Sequence, residues 1–241
     1  MCAEMAGETV KSEAICLSVR PWSRTSHVIS WLTPSGRVTT LVKGAVRPKS
    51  AFLGQYDLNY TCEIVYYSRA RGEVHALREC SPLEMRESLR LDYRALALAG
   101  YFRMLAERFA PQGDDAIAWF RELSGALDLV CRGVGGPGAA AMQLLFFEIK
   151  VLVLLGLGPE IESAVGSFAL RGERAVPISS DVAELLGSLS ASTEPPSVAG
   201  DLPIPLDALR VIGVYYSLHL DLPLDVRRSV LGVVSKTAER G

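Results

Sequence analysis

The hydrophobic residues of this chain change their spacing at Pro82, and that change restricts the fold more than any other feature. Before it lie short segments rich in Val, Ile, Thr, Tyr and Trp, at Ala14–Val19, His27–Thr33, Arg37–Lys43, Leu58–Tyr66 and Val74–Arg78, separated by Pro, Gly and Ser. After it, Leu89, Tyr93, Leu96, Leu98, Tyr101, Phe102, Leu105 and Phe109 recur every three or four residues, the period of a helix with one buried face. The chain therefore reads as α+β, with strands over residues 1–82 and helices over residues 83–241. At 241 residues and 49% hydrophobic it is long enough for two domains with their own cores.

Turn residues refine this division. Pro34, Ser35 and Gly36 predict a tight hairpin between the second and third strands, and Arg69 to Gly72 a turn between the fourth and fifth. Five short strands are too few for an immunoglobulin-like sandwich but suit a small closed barrel of the oligonucleotide-binding (OB) type. In the helical part Asp92 stands where a cap is wanted, Asp115 to Cys131 and Ala139 to Leu155 form two further helices, and Gly133 to Gly138 turns between them. Pro159 to Pro177 and Ser190 to Pro205 read as irregular connections. Leu206 to Leu220 and Leu224 to Val234 close the chain as helices, with Pro223 beside the first turn of the second.

Charge is distributed unevenly. Between Glu13 and Asp57 there is no acidic residue, although the average density of acids would put roughly five there. Arg20, Arg24, Arg37, Lys43, Arg47 and Lys49 all fall in that gap. Residues 1–80 hold 10 Lys and Arg against 7 Asp and Glu, so the formal net charge of -2 conceals a cationic first third. Such a stretch suits a polyanion, whose phosphates bind Lys and Arg with release of counterions and little sequence preference. Lys43, Arg47 and Lys49 surround Gly44 and Pro48 on a loop leaving a strand, and loops of small barrels are common docking places. Arg69, Arg71 and Arg78 are candidates to extend the surface. Trp22, between Arg20 and Arg24, can stack on an unpaired base or close the barrel end, whereas Trp31 sits in an apolar alternation and reads as core. Phe52 and Tyr56 are further possible stacking faces.

Catalytic and metal chemistry find no support. His27, His75 and His219 lie in separate segments, and Cys2, Cys16, Cys62, Cys80 and Cys131 have no metal-knuckle spacing. The cysteines are expected to be reduced thiols of a cytoplasmic protein. There is no GxSxG elbow, no HExxH helix and no phosphate-cradling glycine loop. The apolar run Leu144 to Leu157 is broken by Glu148 and Lys150, so it reads as a buried helix and not as a membrane span.

Three stretches carry a resemblance to a known family. EAICLSVRPWSRTSHVISWLTPSGRVTTLVKGAVRPKS resembles the start of the bacterial recombination mediator RecO family, FEIKVLVLLGLGPE looks like its helix ending in LLGYGP, and LRVIGVYYSLHLDLPLDVRRSVL is similar to its C-terminal helix pair. KGAVRPKS is the most specific part. The resemblance implies an N-terminal OB barrel on a helical C-terminal domain, and a nucleoid-associated, non-catalytic protein without cofactors. It also implies binding of single- and double-stranded DNA, annealing of complementary strands, and loading of RecA together with RecR. The acidic, Phe-ended tail of single-strand-binding protein is a further implied partner, with Arg121 and Arg132 as candidate rim residues in the helical domain. Many members hold zinc with two cysteine pairs, but the first pair's positions carry Ala164 and Ser167 here, so a zinc-free segment is expected near residues 159–180. Phe168, Leu170 and Ile178 are candidates for the packing that replaces it. An RNA-binding or protein-interaction adaptor built on the same barrel is the alternative reading.

Overall fold

Strand β1, Thr9–Ser23, is the longest in the protein and makes two different pairings along its length. Its first half runs antiparallel to β4, Thr61–Tyr67, from Thr9↔Tyr67 to Ile15↔Thr61. Its second half pairs with β2, Ser26–Thr33, from Ile15↔Leu32 to Ser23↔Ser26. An irregularity between Cys16 and Ser18 bends the strand between these partners, as a bulge does where a sheet curls on itself. With β3, Gly36–Val42, and β5, Val74–Glu84, the order β1-β2-β3-β5-β4 closes into a barrel. That is the architecture expected from the five apolar segments. The coordinates are a computed structural model that describes residues 8–68, 74–112, 116–164, 167–170, 176–194, 203–220, 222 and 224–234. Cys2, the turn Arg69 to Gly72, Asp115 and Pro223 lie outside the described residues.

Alternation along the strands fills the barrel. Ala14, Cys16, Ile29, Trp31, Val42, Cys62, Ile64, Leu77 and Cys80 form its buried centre. Trp31 donates its indole N–H to Thr40 Oγ1 at 2.8 Å, which meets the requirement of a polar atom taken into an apolar core. Ile15, Leu17 and Leu32, at the alternate positions, are buried as well, so this part of the wall is covered on its outside. The second half of helix α1, Tyr93–Phe109, lies against it there: Arg103 donates to the Leu17 carbonyl and Glu107 accepts from Ser18.

The residues form two compact units, Met1–Ser88 with Phe102–Asp128 and Leu89–Tyr101 with Leu129–Gly241. The first takes in the barrel, the second half of α1 and most of α2, Ile117–Arg132. Arg86 is a buried guanidinium of this unit, donating to the Asn59 carbonyl, Thr61 Oγ1, Ser124 Oγ and Asp128. Asp92 caps α1 as its position in the sequence predicts, accepting from the Arg94 backbone N–H at 2.8 Å.

The second unit is built on α3, Pro137–Leu154, which is buried on nearly all sides. By length and composition it would suffice to cross a membrane, and its burial makes it the core helix instead. Its Glu148 is fully buried and is held by Arg227 Nε and Nη2 at 2.8 and 2.9 Å and by the Tyr101 hydroxyl at 2.7 Å. Around α3 stand α4, Ser180–Ala191, α5, Pro203–His219, and α6, Leu224–Val234. Two features depart from the sequence reading. The stretch after Pro159 is a three-stranded antiparallel sheet, β6 Ile161–Ala164, β7 Ser167–Leu170 and β8 Val176–Ile178, where an irregular connection is expected. Helix α4 follows it, capped by Ser179, in a stretch to which the sequence reading assigns no element.

Candidate nucleic-acid interface

The register of the barrel decides which cations can act together. His27 pairs with Val42 and Ser23 with Ser26, so the β1–β2 turn and the loop leaving β3 emerge at the same end. Arg24 lies in that turn, and Lys43, Arg47 and Lys49 lie in that loop. The loop is fixed by short backbone bonds: Val46 N–H to the Thr25 carbonyl, Arg47 N–H to the Gly44 carbonyl, and Ser50 N–H to the Arg47 carbonyl. Gly44 turns it with φ +67, a conformation that costs a side chain, and a Cβ there would stand 3.2 Å from the Arg47 side chain. The result is an open cleft of about 390 Å³ lined by Trp22, Ser23, Ser26, Leu41, Lys43, Gly44 and Arg47. Trp22 is 69% exposed, so its indole is available as a face and does not plug the barrel.

Arg24, Lys43, Arg47 and Lys49 are exposed, and none makes an ion pair with a described residue. Arg78 is exposed on β5, its guanidinium 5.8 Å from the centre of the Tyr67 ring. The parallel register Leu41↔Ala76 directs this part of β5 toward the same end of the barrel. Arg69 and Arg71 lie outside the described residues.

Two of the expected cations are engaged inside the unit. Arg37 pairs with Leu32 at the opposite end of β2 and β3, far along the register from Lys43. Its Nε donates to the Ala110 carbonyl at 2.7 Å and its Nη1 to the Glu107 carbonyl, at the end of α1. Burial pulls its pKa down and the Glu107 charge opposes that shift. Arg20 remains 71% exposed at its side chain but bonds Glu107 Oε1 at 2.9 Å, and Ser18 Oγ donates to the same oxygen at 2.5 Å. The aromatic candidates separate in the same way. Tyr56 is half-buried, its hydroxyl 2.9 Å from His27 Nδ1, and burial pushes the phenol up to about 12. Phe52 packs partly buried against the barrel core.

Sequence reasoning missed Ser23, Ser26 and Leu41 as cleft residues, and Ser18 and Glu107 as partners of the cationic strand. The first three carry no signal of their own. Glu107 is 87 positions from Arg20, beyond any local pattern.

Arg121 and Arg132 are both exposed on α2, about 16 Å apart along its axis at 1.5 Å per residue, and fall in different units. Ala164 and Ser167 face each other across the β6–β7 register, and no cysteine follows Cys131. These residues do not supply the donors of a thiolate zinc site.

A closed five-stranded barrel in the order β1-β2-β3-β5-β4, with cationic loops at one end and helices after it, defines the class of OB-barrel proteins with a helical domain. The chain matches the model for the Recombination protein O N terminal over residues 5–86 and that for the Recombination protein O C terminal over residues 90–228. It belongs to the Recombination protein O family. It is 30% identical to the DNA repair protein RecO of Desulforudis audaxviator over 65% of this chain and 60% of that protein. It is 29% identical to the DNA repair protein RecO of Koribacter versatilis, over 64% of this chain and 62% of that one. With the DNA repair protein RecO of Rhodopirellula baltica the identity is 33%, over 61% of this chain and 53% of the other. The matched regions thus span about half to three fifths of these relatives.

Proposed function

We propose that this chain is a non-catalytic recombination mediator of DNA repair that binds single- and double-stranded DNA and anneals complementary strands. The supporting observation is the cleft at one end of the barrel, where the exposed face of Trp22 adjoins Lys43 and Arg47. Arg24 and Lys49 are exposed on the two chain segments that frame it. Phosphates bind to the unpaired cations with counterion release, while a base of an unpaired strand stacks on the indole. Annealing requires neutralising two backbones while leaving bases accessible, which depends on density of positive charge more than on exact hydrogen-bond geometry. Arg78 extends the surface along β5. Arg37 serves the fold, since its donors meet backbone carbonyls.

The proposal extends to the partners that go with the family. RecR acts with this chain in loading RecA, and the acidic, Phe-ended tail of single-strand-binding protein docks on the helical part with Arg121 or Arg132 as its cation.

Replacement of Lys43, Arg47 and Lys49 by Glu is the test. A labelled oligonucleotide should lose at least tenfold in affinity, with circular dichroism unchanged, and the slope of log affinity against log salt should flatten by about 0.7 for each lost contact on a single strand. Unchanged affinity at moderate salt refutes the assignment. A weak salt response of the parent protein would favour a protein-interaction adaptor instead.

A further inference from the structure

Glu107 is the one carboxylate that reaches the cationic strand among the described ion pairs of residues 14–56, and its position is specific. Oε1 accepts from both Ser18 Oγ and Arg20 Nη2, while the carbonyl of the same residue accepts from Arg37. Its charge also opposes the downward pull of burial on Arg37 and Arg103, although of these three guanidinium groups only Arg20 contacts the carboxylate. A hydroxyl and a guanidinium converging on one carboxylate oxygen form the donor set that binds a phosphate oxygen. Arg20 precedes Trp22 by two residues on β1, so their backbone positions stand roughly 6.6 Å apart along the strand and Trp22 lines the cleft.

We propose that the Glu107 carboxylate is an internal stand-in for a nucleic-acid phosphate, holding an anion subsite at Ser18 and Arg20 that a phosphodiester must take over when the strand extends past Trp22. The inference rests on the reading of the barrel as a nucleic-acid binder. The Arg20 side chain is 71% exposed and that of Glu107 22%, so the guanidinium can be approached by a second anion from its solvent side while the carboxylate stays partly sheltered. Glu107 thereby holds affinity below the level the cations alone would give, which favours release of the strand after annealing.

The full chain carrying Glu107→Gln keeps an acceptor for Ser18 and removes the charge. Its affinity for a labelled single-stranded oligonucleotide at moderate salt should rise about three- to tenfold, and its salt slope should steepen by about 0.7, one added phosphate contact. The same substitution introduced beside Arg20→Ala should change affinity by less than about twofold relative to Arg20→Ala alone. Glu107→Asp, which retracts the carboxylate by one methylene, should give a smaller gain of the same sign and serves if the Gln variant does not fold. An unchanged or reduced affinity overturns the inference while leaving the binding reading intact, provided the parent binds. A gain that persists without Arg20 also overturns it, because the carboxylate would then act only through its general field. Absence of binding by parent and variants alike overturns both readings.

Discussion

The two ends of the barrel hold the same residue type in opposite surroundings. At the β2–β3 end, Arg37 is half-buried and directs its donors onto the last carbonyls of α1, closing a helix terminus that would otherwise leave acceptors unmet. At the other end Arg24 and Arg47 are exposed and unpaired with any described carboxylate. Arg20 stands between these conditions, exposed yet bound to Glu107. The difference shows that cationic sequence is a poor guide to cationic surface until the register says which end each side chain occupies. What sets Arg37 apart is that backbone carbonyls lie within reach of its guanidinium.

The strongest way to expose the scaffold role is Arg86→Ala. It leaves the buried Asn59 carbonyl without its donor and the half-exposed Asp128 without its partner, which should lower unfolding free energy by about 2–3 kcal/mol, read by urea denaturation. Trp22→Ala probes the opposite end. It should weaken single-strand binding by about 1–3 kcal/mol, the value of one base stack, and leave stability unchanged, as fluorescence titration and melting would show. Arg37→Ala should destabilise the protein by about 1–2 kcal/mol, from the loss of charged hydrogen bonds to carbonyls, with oligonucleotide affinity altered less than about twofold. Loss of affinity in this variant without loss of stability would erase the distinction between the two ends.

Much of this architecture is legible in the residues, and the exceptions have physical causes. The barrel strands follow from Val, Ile and Thr in alternation, but β1 extends beyond the expected Ala14–Val19 to Thr9–Ser23 because Lys11, Glu13 and Arg20 occupy exposed positions that carry no apolar signal. Strands β6 to β8 are three or four residues each, too short for a period to register. Helix α4 has a readable pattern, with Ser179 as cap and Val182, Ala183, Leu186 and Leu189 buried on one face. Its neighbours Pro177 and Ser190 obscure it. For the proposed interface, the acid-free window points to the loop after β3, where Gly44 and Pro48 place Lys43, Arg47 and Lys49 outside any strand. It also points to Arg37, because composition contains no information on which end of a barrel a strand position faces.

The closure of the sheet has one more consequence. Each barrel strand has a hydrogen-bonded neighbour on both sides, the β3–β5 ladder being the shortest at three residue pairs, so the described barrel has no strand standing at the open end of a sheet. The loops that carry Arg24, Lys43, Arg47 and Lys49 lie outside those ladders, so their charge can be altered without touching the strand hydrogen bonds that hold the barrel together.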